Sequence, residues 1–344
     1  MKVGFYIYLL TIFIVSFLYQ PVMGGDLGRY FKILDIMRNL PITSMNNYAT
    51  DPELFITNFI FWLIAKTGIY NLLPAVSTTI VYGIGYYLIS DYLVRVKMYN
   101  SFGSMLILQF MQLPLISIIE NVRNVCAFSI VVLALYRELV QKRKTPITYL
   151  LYIVPCFIHS SVFVLIFLRI LLPLVKKLIY ILPIFLIFIR QIIDFLFFHQ
   201  AKLPSFFASA IEKGYSYLWN NTSNSWLIYV NTSSFFKLQK IVEMTVAIVF
   251  IIIFYITRKK LLENERGFCD YLYLMLLSIL ACNAFEAPHY WRYYSAVMLM
   301  LPIFLVSIKL TRRFILYDFV KYFYIFASLI MFLLNVWNTY STYS

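Results

Sequence analysis

The chain has 344 residues, of which 62% are hydrophobic and only 13% are charged, and its mean hydropathy is +0.80. Soluble domains are about half apolar and about 25% charged, so this composition excludes a soluble protein and predicts an integral membrane protein. The net charge of +14 does not indicate a nucleic-acid partner, because the lysines and arginines lie in short clusters between apolar runs, as membrane topology requires. Continuous runs such as 241–256 favour spanning helices over alternating barrel strands.

The amino-terminal part of the chain combines one apolar run with more polar sequence. Residues 3–20 follow Lys2 and contain no small-residue cleavage site, which predicts a signal anchor that stays as the first helix. Residues 21–53 carry charges of both signs and are predicted as an external loop. The apolar run 54–66 is too short for an ordinary span, so it predicts an interfacial or re-entrant helix.

The remaining apolar runs are each long enough for one spanning helix or for two shorter ones. In chain order they are 72–94, 101–119, 122–140, 146–175, 178–198, 239–257, 268–285, 290–308 and 315–338. Pro155 and the following His159 interrupt the run 146–175, which favours two short helices that meet near His159 over a single span. The weakly apolar residues 199–238 are predicted as a second external loop.

These runs predict an all-α, polytopic bundle that forms one domain over residues 1–344. It has about eleven membrane segments, within a range of about ten to twelve, and some of them are short or re-entrant. With the amino end inside and the carboxyl end outside, every basic cluster lies on the inner side, as the positive-inside rule requires. The polar clusters that contain acids then lie on the external side.

Arg123 is the first candidate for chemistry, because charged groups within apolar sequence are costly in a membrane and usually mark function. It begins a predicted helix directly after Glu120 and Asn121. The free N–H groups of a helix start and the guanidinium fork both suit phosphate oxygens, which predicts an anion site. The alternative is an ion pair between Glu120 and Arg123 at a helix boundary.

Arg292 repeats this arrangement late in the chain. It follows Glu286 and His289 at the start of the predicted helix 290–308. Two external helix starts of this kind would hold two phosphates, or one phosphate and one sugar. The alternative is a belt of aromatic residues at the membrane interface, which the neighbouring tyrosines and tryptophan support.

Two further candidates lie near the first helix and at the predicted helix break. Asp26 and Arg29 are three residues apart and would share one side of a helical turn. Asp26 suits a general base or a sugar-binding carboxylate, and Arg29 suits a phosphate ligand, with a surface ion pair as the alternative. His159 would take a proton from a hydroxyl or donate to phosphate, unless it is a hydrogen-bonded core histidine.

The sequence contains no nucleotide-binding or hydrolase motif and no cysteine or histidine spacing typical of a metal site. We therefore expect no cofactor and no metal. An enzyme of this build would take an activated substrate from the membrane itself. A sugar carried on a polyprenyl diphosphate fits, since its lipid tail lies in the bilayer and its diphosphate meets the external arginines.

Five short motifs occur in an order that resembles a known family. They are Asp26-Leu27-Gly28-Arg29-Tyr30, Asp51-Pro52-Glu53-Leu54-Phe55, Asn121-Val122-Arg123-Asn124 with Ala127, Phe157-Ile158-His159-Ser160-Ser161 and Trp291-Arg292-Tyr293-Tyr294. Together with the many spans, they resemble the EpsG-like and Wzy-type polysaccharide polymerases of bacterial envelopes over most of the chain. One departure is Asn124, because members of that family often have glutamine after the arginine.

The resemblance implies a metal-independent membrane glycosyltransferase, similar in fold to the GT-C type, that polymerises O-antigen, capsule or exopolysaccharide repeat units. It would act at the external face of the bacterial inner membrane and transfer the growing glycan from undecaprenyl diphosphate to a new lipid-linked unit. The residues expected to activate the acceptor hydroxyl are Asp26, His159 and Glu286. Those expected to bind the diphosphate or sugar are Arg29, Tyr30, Glu120, Arg123, Asn124, His289 and Arg292.

The expected partners are lipid-linked oligosaccharides, the bilayer, and a chain-length regulator and flippase of the same pathway, with no nucleic acid. Three other functions remain open at this point. A flippase or transporter of the same lipids would need polar residues along a through-path and usually shows internal repeats. A ligase that joins glycan to a lipid core would share the chemistry. A membrane O-acyltransferase would need its histidine on the cytoplasmic side.

Overall fold

The computed structural model describes residues 2–21, 25–48, 53–178, 189–199, 208, 211–212, 215, 233–284, 290–311 and 314–343. All regular secondary structure in these ranges is helical, which confirms the predicted all-α class. Four helical stretches within them are long and apolar enough to cross a membrane, namely Leu72–Arg95, Ser234–Lys260, Tyr293–Leu310 and Ile315–Trp337. They match four of the predicted spans, and the count of about eleven segments stays a prediction.

The chain divides into two compact units, Met1–Leu165 and Ile166–Ser344. The helices of the amino-terminal unit are α1 (Lys2–Leu18), α2 (Asp26–Arg38), α3 (Phe55–Thr67), α4 (Leu72–Arg95), α5 (Phe102–Gln112), α6 (Leu115–Glu120), α7 (Val122–Leu139) and α8 (Pro146–Cys156). Helix α9 (Val162–Leu178) begins in this unit. Helix α4 packs against α1 and α7, and α7 also packs against α8, so α4 and α7 form the centre of the unit.

The segment 21–53, predicted as a loop, contains the amphipathic helix α2 and a short 3-10 helix at Ile42–Tyr48. Leu27, Tyr30, Leu34 and Met37 are buried on one face of α2 and pack with residues of α3, α4, α6 and α7. Side chains of α3 reinforce this docking, since the Trp62 indole donates to a backbone carbonyl just after α2. Residues Asp26–Arg38 therefore fold as a helix docked on the unit rather than as an irregular loop.

The predicted run 101–119 is not a single helix. Helix α5 ends at Gln112, Pro114 has an extended backbone conformation, and the short α6 follows. Proline has no N–H to donate to the preceding turn, so the helix breaks there. The break predicted in 146–175 is confirmed, because α8 ends at Cys156 and α9 begins at Val162.

The carboxy-terminal unit contains α10 (Ile189–Phe198), α11 (Ser234–Thr257), α12 (Glu263–Ala284), α13 (Tyr290–Leu310) and α14 (Phe314–Tyr343). Helix α13 packs against α12 and α14, and α11 also contacts α12 and α14. Aromatic rings fill this core: the Phe250 ring lies 6.1 Å from that of Phe304 and 5.8 Å from that of Tyr324. The predicted span at 239–257 begins earlier, at Ser234.

Helix α14 carries an apolar stripe that faces outward. Ile315, Phe319, Tyr322, Phe326 and Leu329 are all exposed, and the stripe continues to Leu333. Their spacing of three and four residues puts them on one side of the helix. Contiguous exposed apolar surface of this length is unfavourable in water and typical of a surface that contacts lipid or another protein.

Gly85 on α4 provides a test of the packing in the amino-terminal unit. A Cβ at this position would lie 2.4 Å from Oε1 of the buried Gln109 on α5. The clash is with the end of the Gln109 side chain, so this buried amide has to shift. We expect Gly85→Ala to lower the free energy of unfolding by about 1 kcal/mol, because the cost of overpacking exceeds the intrinsic preference for alanine over glycine in a helix. The measurement is denaturant unfolding of the purified protein in detergent.

The matched control is Gly103→Ala, because a Cβ at Gly103 would meet no heavy atom within 4 Å. In a helix, alanine is intrinsically more favourable than glycine, so this variant should be neutral or slightly more stable. The double variant Gly85→Ala/Gln109→Ala should recover part of the loss. Equal stability of the two glycine variants would contradict the close packing of α4 against α5.

Candidate functional site

A contact between Arg123 and Tyr30 is the centre of the candidate site. Arg123 lies in the first turn of α7, and its Nε donates a hydrogen bond of 3.0 Å to the Tyr30 hydroxyl on α2. Its guanidinium carbon also lies 4.8 Å from the centre of the Tyr30 ring. A cation over an aromatic face is attracted by the ring quadrupole. The two contacts orient the guanidinium against α2 and join two predicted site residues that are 93 positions apart.

Glu120 lies at the end of α6, where Oε1 accepts a hydrogen bond of 2.7 Å from the Tyr19 hydroxyl. Tyr19 follows the last residue of α1. Glu120 and Arg123 therefore each contact a tyrosine from the amino-terminal part of the chain. Each charged side chain therefore has a partner outside its own helix.

Asn121 separates Glu120 from Arg123 and explains their placement. Its backbone lies outside the helical region, with φ −116° and ψ 37°, so it ends α6 and begins α7. Its side-chain amide donates to the backbone carbonyl of Ser117, 2.9 Å away. Asparagine is well suited to such junctions because its short side chain replaces missing backbone partners. The junction places both charges beside α2.

Asp26 and Arg29 form an ion pair within the first turn of α2. The pairing matches the predicted spacing, and the acidic residue also lies where the helix dipole favours negative charge. The Arg29 side chain is 68% exposed, whereas that of Asp26 is 25% exposed. Arg29 therefore presents a cation at the surface, and Asp26 is engaged in holding it.

Two oxygens near Arg123 are buried without hydrogen-bond partners among the described residues. They are Oε2 of Glu120 and Oδ1 of Asn124. Asn124 is only 3% exposed. A buried acceptor that lacks a donor costs about 1–3 kcal/mol. Both atoms are thus suited to a ligand that donates hydrogen bonds.

His159 lies at the break between α8 and α9 and is buried. Its Nδ1 accepts a hydrogen bond from the backbone N–H of Ser161, and its ring makes an edge contact with Phe128 of α7. A nitrogen that accepts an N–H bears no proton, so the neutral imidazole carries its proton on Nε2. His159 caps the start of α9 and, when neutral, acts as a donor through Nε2 rather than as a base.

The fourth motif contacts α3 just after the end of the second motif. The Thr57 hydroxyl of α3 donates to the carbonyl of Ile158 at 2.8 Å, and the Thr57 N–H donates to the carbonyl of Phe157 at 3.3 Å. Helix α3 in turn packs against α2. The first and third motifs are therefore in direct contact through Tyr30 and Arg123, and the fourth motif contacts the helix that begins at Phe55 of the second motif.

The fifth motif lies in the carboxy-terminal unit. Arg292 is in the first turn of α13, and the position of its side chain is not described. Glu286 and His289 lie outside the described residues. The predicted roles of these three residues stay predictions.

No family model, curated protein or solved structure matches the chain. The side chains of the site themselves indicate which ligand groups it suits. Guanidinium groups bind the oxygens of phosphate, and unpaired carboxylate and amide oxygens bind hydroxyls. Within the part of the chain that the structure describes, no group of three or more histidine, cysteine or acidic residues is placed to hold a metal ion.

Some polar residues in the core were not singled out from the sequence. Tyr19 lies near the end of the first apolar run, 3–20. Glu243 is fully buried in α11, where Gln239 donates to its Oε1 at 2.9 Å. Asp91 accepts hydrogen bonds from Arg95 and Tyr136 near the other end of α4. In the sequence, Glu243 and Asp91 each lie four residues from a polar residue, and this helical spacing is by itself a weak indication of a buried polar contact.

The contribution of the Tyr30 hydroxyl to this arrangement is measurable. Tyr30→Phe keeps the ring but removes the hydrogen bond to Arg123, and we expect it to lower the free energy of unfolding by about 1 kcal/mol. In a double-mutant cycle, Tyr30→Phe and Arg123→Leu should show a coupling energy of about 1 kcal/mol. The measurement is denaturant unfolding in detergent.

A matched cycle combines Tyr30→Phe with Arg143→Leu, since Arg143 is an exposed arginine outside the site. These two changes should be additive within about 0.5 kcal/mol. Additivity in the Tyr30 and Arg123 cycle as well would mean that the contact contributes nothing to the folded state.

Proposed function

We propose that the protein is a membrane-embedded polymerase of polysaccharide repeat units carried on undecaprenyl diphosphate. It transfers the growing glycan from its lipid diphosphate to the terminal sugar of a new lipid-linked unit. The observation that carries the proposal is the contact between Arg123 and Tyr30. It unites two motifs that resemble the polymerase family and orients a guanidinium at the start of α7.

The hydrogen bonds of Thr57 support the same proposal, because they tie the start of α3 to the segment that holds His159. Motifs that are unrelated to one function have no reason to converge in the fold. Here the first and third motifs are in direct contact, and the fourth motif contacts α3, which begins at Phe55 of the second motif and packs against α2. Convergence of this kind is expected of a site and not of scattered interfacial belts.

A location in a membrane is supported by the surface of the molecule. Four helical stretches have the length and apolarity of a span, and α14 exposes a continuous apolar stripe. Such a surface is stable in contact with lipid chains. A substrate with a polyprenyl tail would then reach the site from the bilayer, and its diphosphate would meet Arg123 and Arg29.

In the proposed reaction, a hydroxyl oxygen of the acceptor sugar attacks the anomeric carbon of the donor glycan. The bond between that carbon and the diphosphate oxygen breaks, and the diphosphate leaves with the electron pair. Arg123 stabilises the negative charge that develops on this leaving group, and exposed Arg29 binds the same diphosphate. Stabilisation of developing charge is usually the largest single catalytic contribution, so the arginines are central to the proposal.

The first functional prediction concerns Arg123. In cells deleted for this protein, surface glycan should shrink from a ladder to a single repeat on the lipid core. Wild-type protein should restore the ladder, whereas Arg123→Ala should not, because loss of one charge-stabilising donor costs about 100- to 1,000-fold in rate. The measurement is glycan length on gels, with protein amount in the membrane checked for every variant.

Arg143→Ala is the matched control and should restore the full ladder, since Arg143 is exposed in a predicted inner loop. A deletion strain that retains its ladder would contradict the polymerase function. Loss of even the single repeat would point instead to the flippase or the ligase. Restoration of the ladder by Arg123→Ala would contradict the role of this arginine.

The second functional prediction concerns sidedness. Thr43 and Lys144 are exposed and lie on opposite predicted sides of the membrane. In a variant without the four native cysteines, Thr43→Cys should react with a membrane-impermeant maleimide in cells whose outer barrier is permeabilised. Lys144→Cys should react only after the inner membrane is opened, because basic clusters stay inside.

The reverse pattern of labelling would place the candidate site on the cytoplasmic side. That result would contradict the proposed polymerase topology and favour the acyltransferase. Equal labelling of both positions before the inner membrane is opened would contradict the membrane topology altogether.

A further inference from the structure

The candidate site contains two kinds of chemistry that suit two different parts of a substrate. Arg123 and Arg29 are cations, and they match a diphosphate, which at neutral pH only accepts hydrogen bonds. The buried oxygens of Glu120 and Asn124 are acceptors that receive no hydrogen bond from the residues that the structure describes. A diphosphate cannot satisfy them, because it has no proton to donate. A sugar can, because each of its hydroxyls is a donor.

We propose that Glu120 is the general base of the reaction and that Glu120 and Asn124 together bind the acceptor sugar. This inference rests on the polymerase function proposed above. Glu120 Oε2 receives the proton of the attacking hydroxyl as the hydroxyl oxygen bonds to the anomeric carbon. The leaving diphosphate takes the electron pair of the broken bond, so the proton and charge are accounted for within the site.

Of the other candidate bases, Glu286 lies outside the described residues, and Asp26 and His159 are engaged in ways that do not suit proton abstraction. The Asp26 carboxylate is held in an ion pair with Arg29. The Nδ1 of His159 accepts a backbone N–H, which leaves the proton of the neutral ring on Nε2. Glu120 differs from both, because Tyr19 binds only one of its carboxylate oxygens. The Tyr19 contact positions the carboxylate and leaves Oε2 for the substrate.

Asn124 is the second group that suits the acceptor sugar. It is 3% exposed, and its Oδ1 lacks a donor among the described residues. Asn124 lies four positions after Glu120, across the Asn121 junction, and next to Arg123 in the first turn of α7. The two unsatisfied acceptors flank Arg123 in the sequence, which matches a hydroxyl-bearing ring bound next to a diphosphate.

The test uses membranes from the deletion strain that contain the full-length protein or a variant. The substrate is the lipid-linked single repeat extracted from the same deletion strain, and the initial rate of chain growth is measured on gels. Glu120→Gln should lower this rate by about 100- to 10,000-fold, which is the usual contribution of a general base. Glu120→Asp keeps a carboxylate and should retain a measurable rate.

Glu263→Gln is the matched control, since Glu263 is an exposed acid at the start of α12. It should polymerise at the wild-type rate. Glu120→Gln should unfold at the same temperature as the wild type, because the amide oxygen still accepts from Tyr19. A rate of Glu120→Gln within threefold of the wild type would overturn the proposal.

A second variant tests the positioning of the base. Tyr19→Phe removes the hydrogen bond that orients the Glu120 carboxylate, so it should lower the rate of chain growth by about 10- to 100-fold. A rate of Tyr19→Phe equal to that of the wild type would overturn the proposal even where Glu120→Gln fails to fold.

Failure of this inference and failure of the polymerase function give different results. If Arg123→Ala stops chain growth but Glu120→Gln does not, the polymerase proposal stands and Glu120 is not the base. If the deletion strain keeps its glycan ladder, both proposals are wrong. If both variants stop chain growth and Tyr19→Phe lowers the rate as expected, both are supported.

Discussion

The structure of the amino-terminal unit depends on partners for the charged groups that lie beside its apolar helices. Arg123 meets this requirement through the hydroxyl and the ring of Tyr30, and Glu120 meets it through Tyr19. Tyrosine suits this role because its apolar body packs in the core while its hydroxyl reaches a polar group. Both contacts cross between distant parts of the chain, so they fix α2 and the end of α1 against the α6–α7 junction. The site exists because these tyrosines hold its charges in place.

The polar groups of the site are of two kinds, according to whether their hydrogen-bonding capacity is fully used. Groups that are fully engaged, such as the ion pair of Asp26 with Arg29 and the capping nitrogen of His159, shape the site. Groups that retain bonding capacity, such as Glu120 Oε2 and Asn124 Oδ1, are the ones to which the proposal assigns the acceptor sugar. Buried polar groups without partners are rare in folded proteins because they cost stability. Their presence beside an arginine is thus informative about chemistry.

Several features could be predicted from the sequence because they rest on local chemistry. The long apolar run of α4 predicts a span, and Pro155 with His159 predicts the break between α8 and α9. The helical turn that joins Asp26 to Arg29 follows from their spacing. Helix α2 was missed because its charged face lowers its apolarity, although Leu27, Tyr30, Leu34 and Met37 repeat at helical spacing. The partners of Glu120 and Arg123 could not be predicted, since nothing local specifies a tyrosine about a hundred residues away.

The long sequence separation within the site also bears on how the protein is made. Tyr30 is 93 residues before Arg123, and Tyr19 is 101 residues before Glu120. At ordinary rates of synthesis, α2 would wait about 5 to 20 s for its partner helix to appear. During that interval the apolar face of α2 can pack against α3 and the start of α4, but the part of it that meets α6 and α7 has no protein partner. Assembly of the site therefore waits for the synthesis of α7, and a pause in translation before α7 would prolong this incomplete stage of folding.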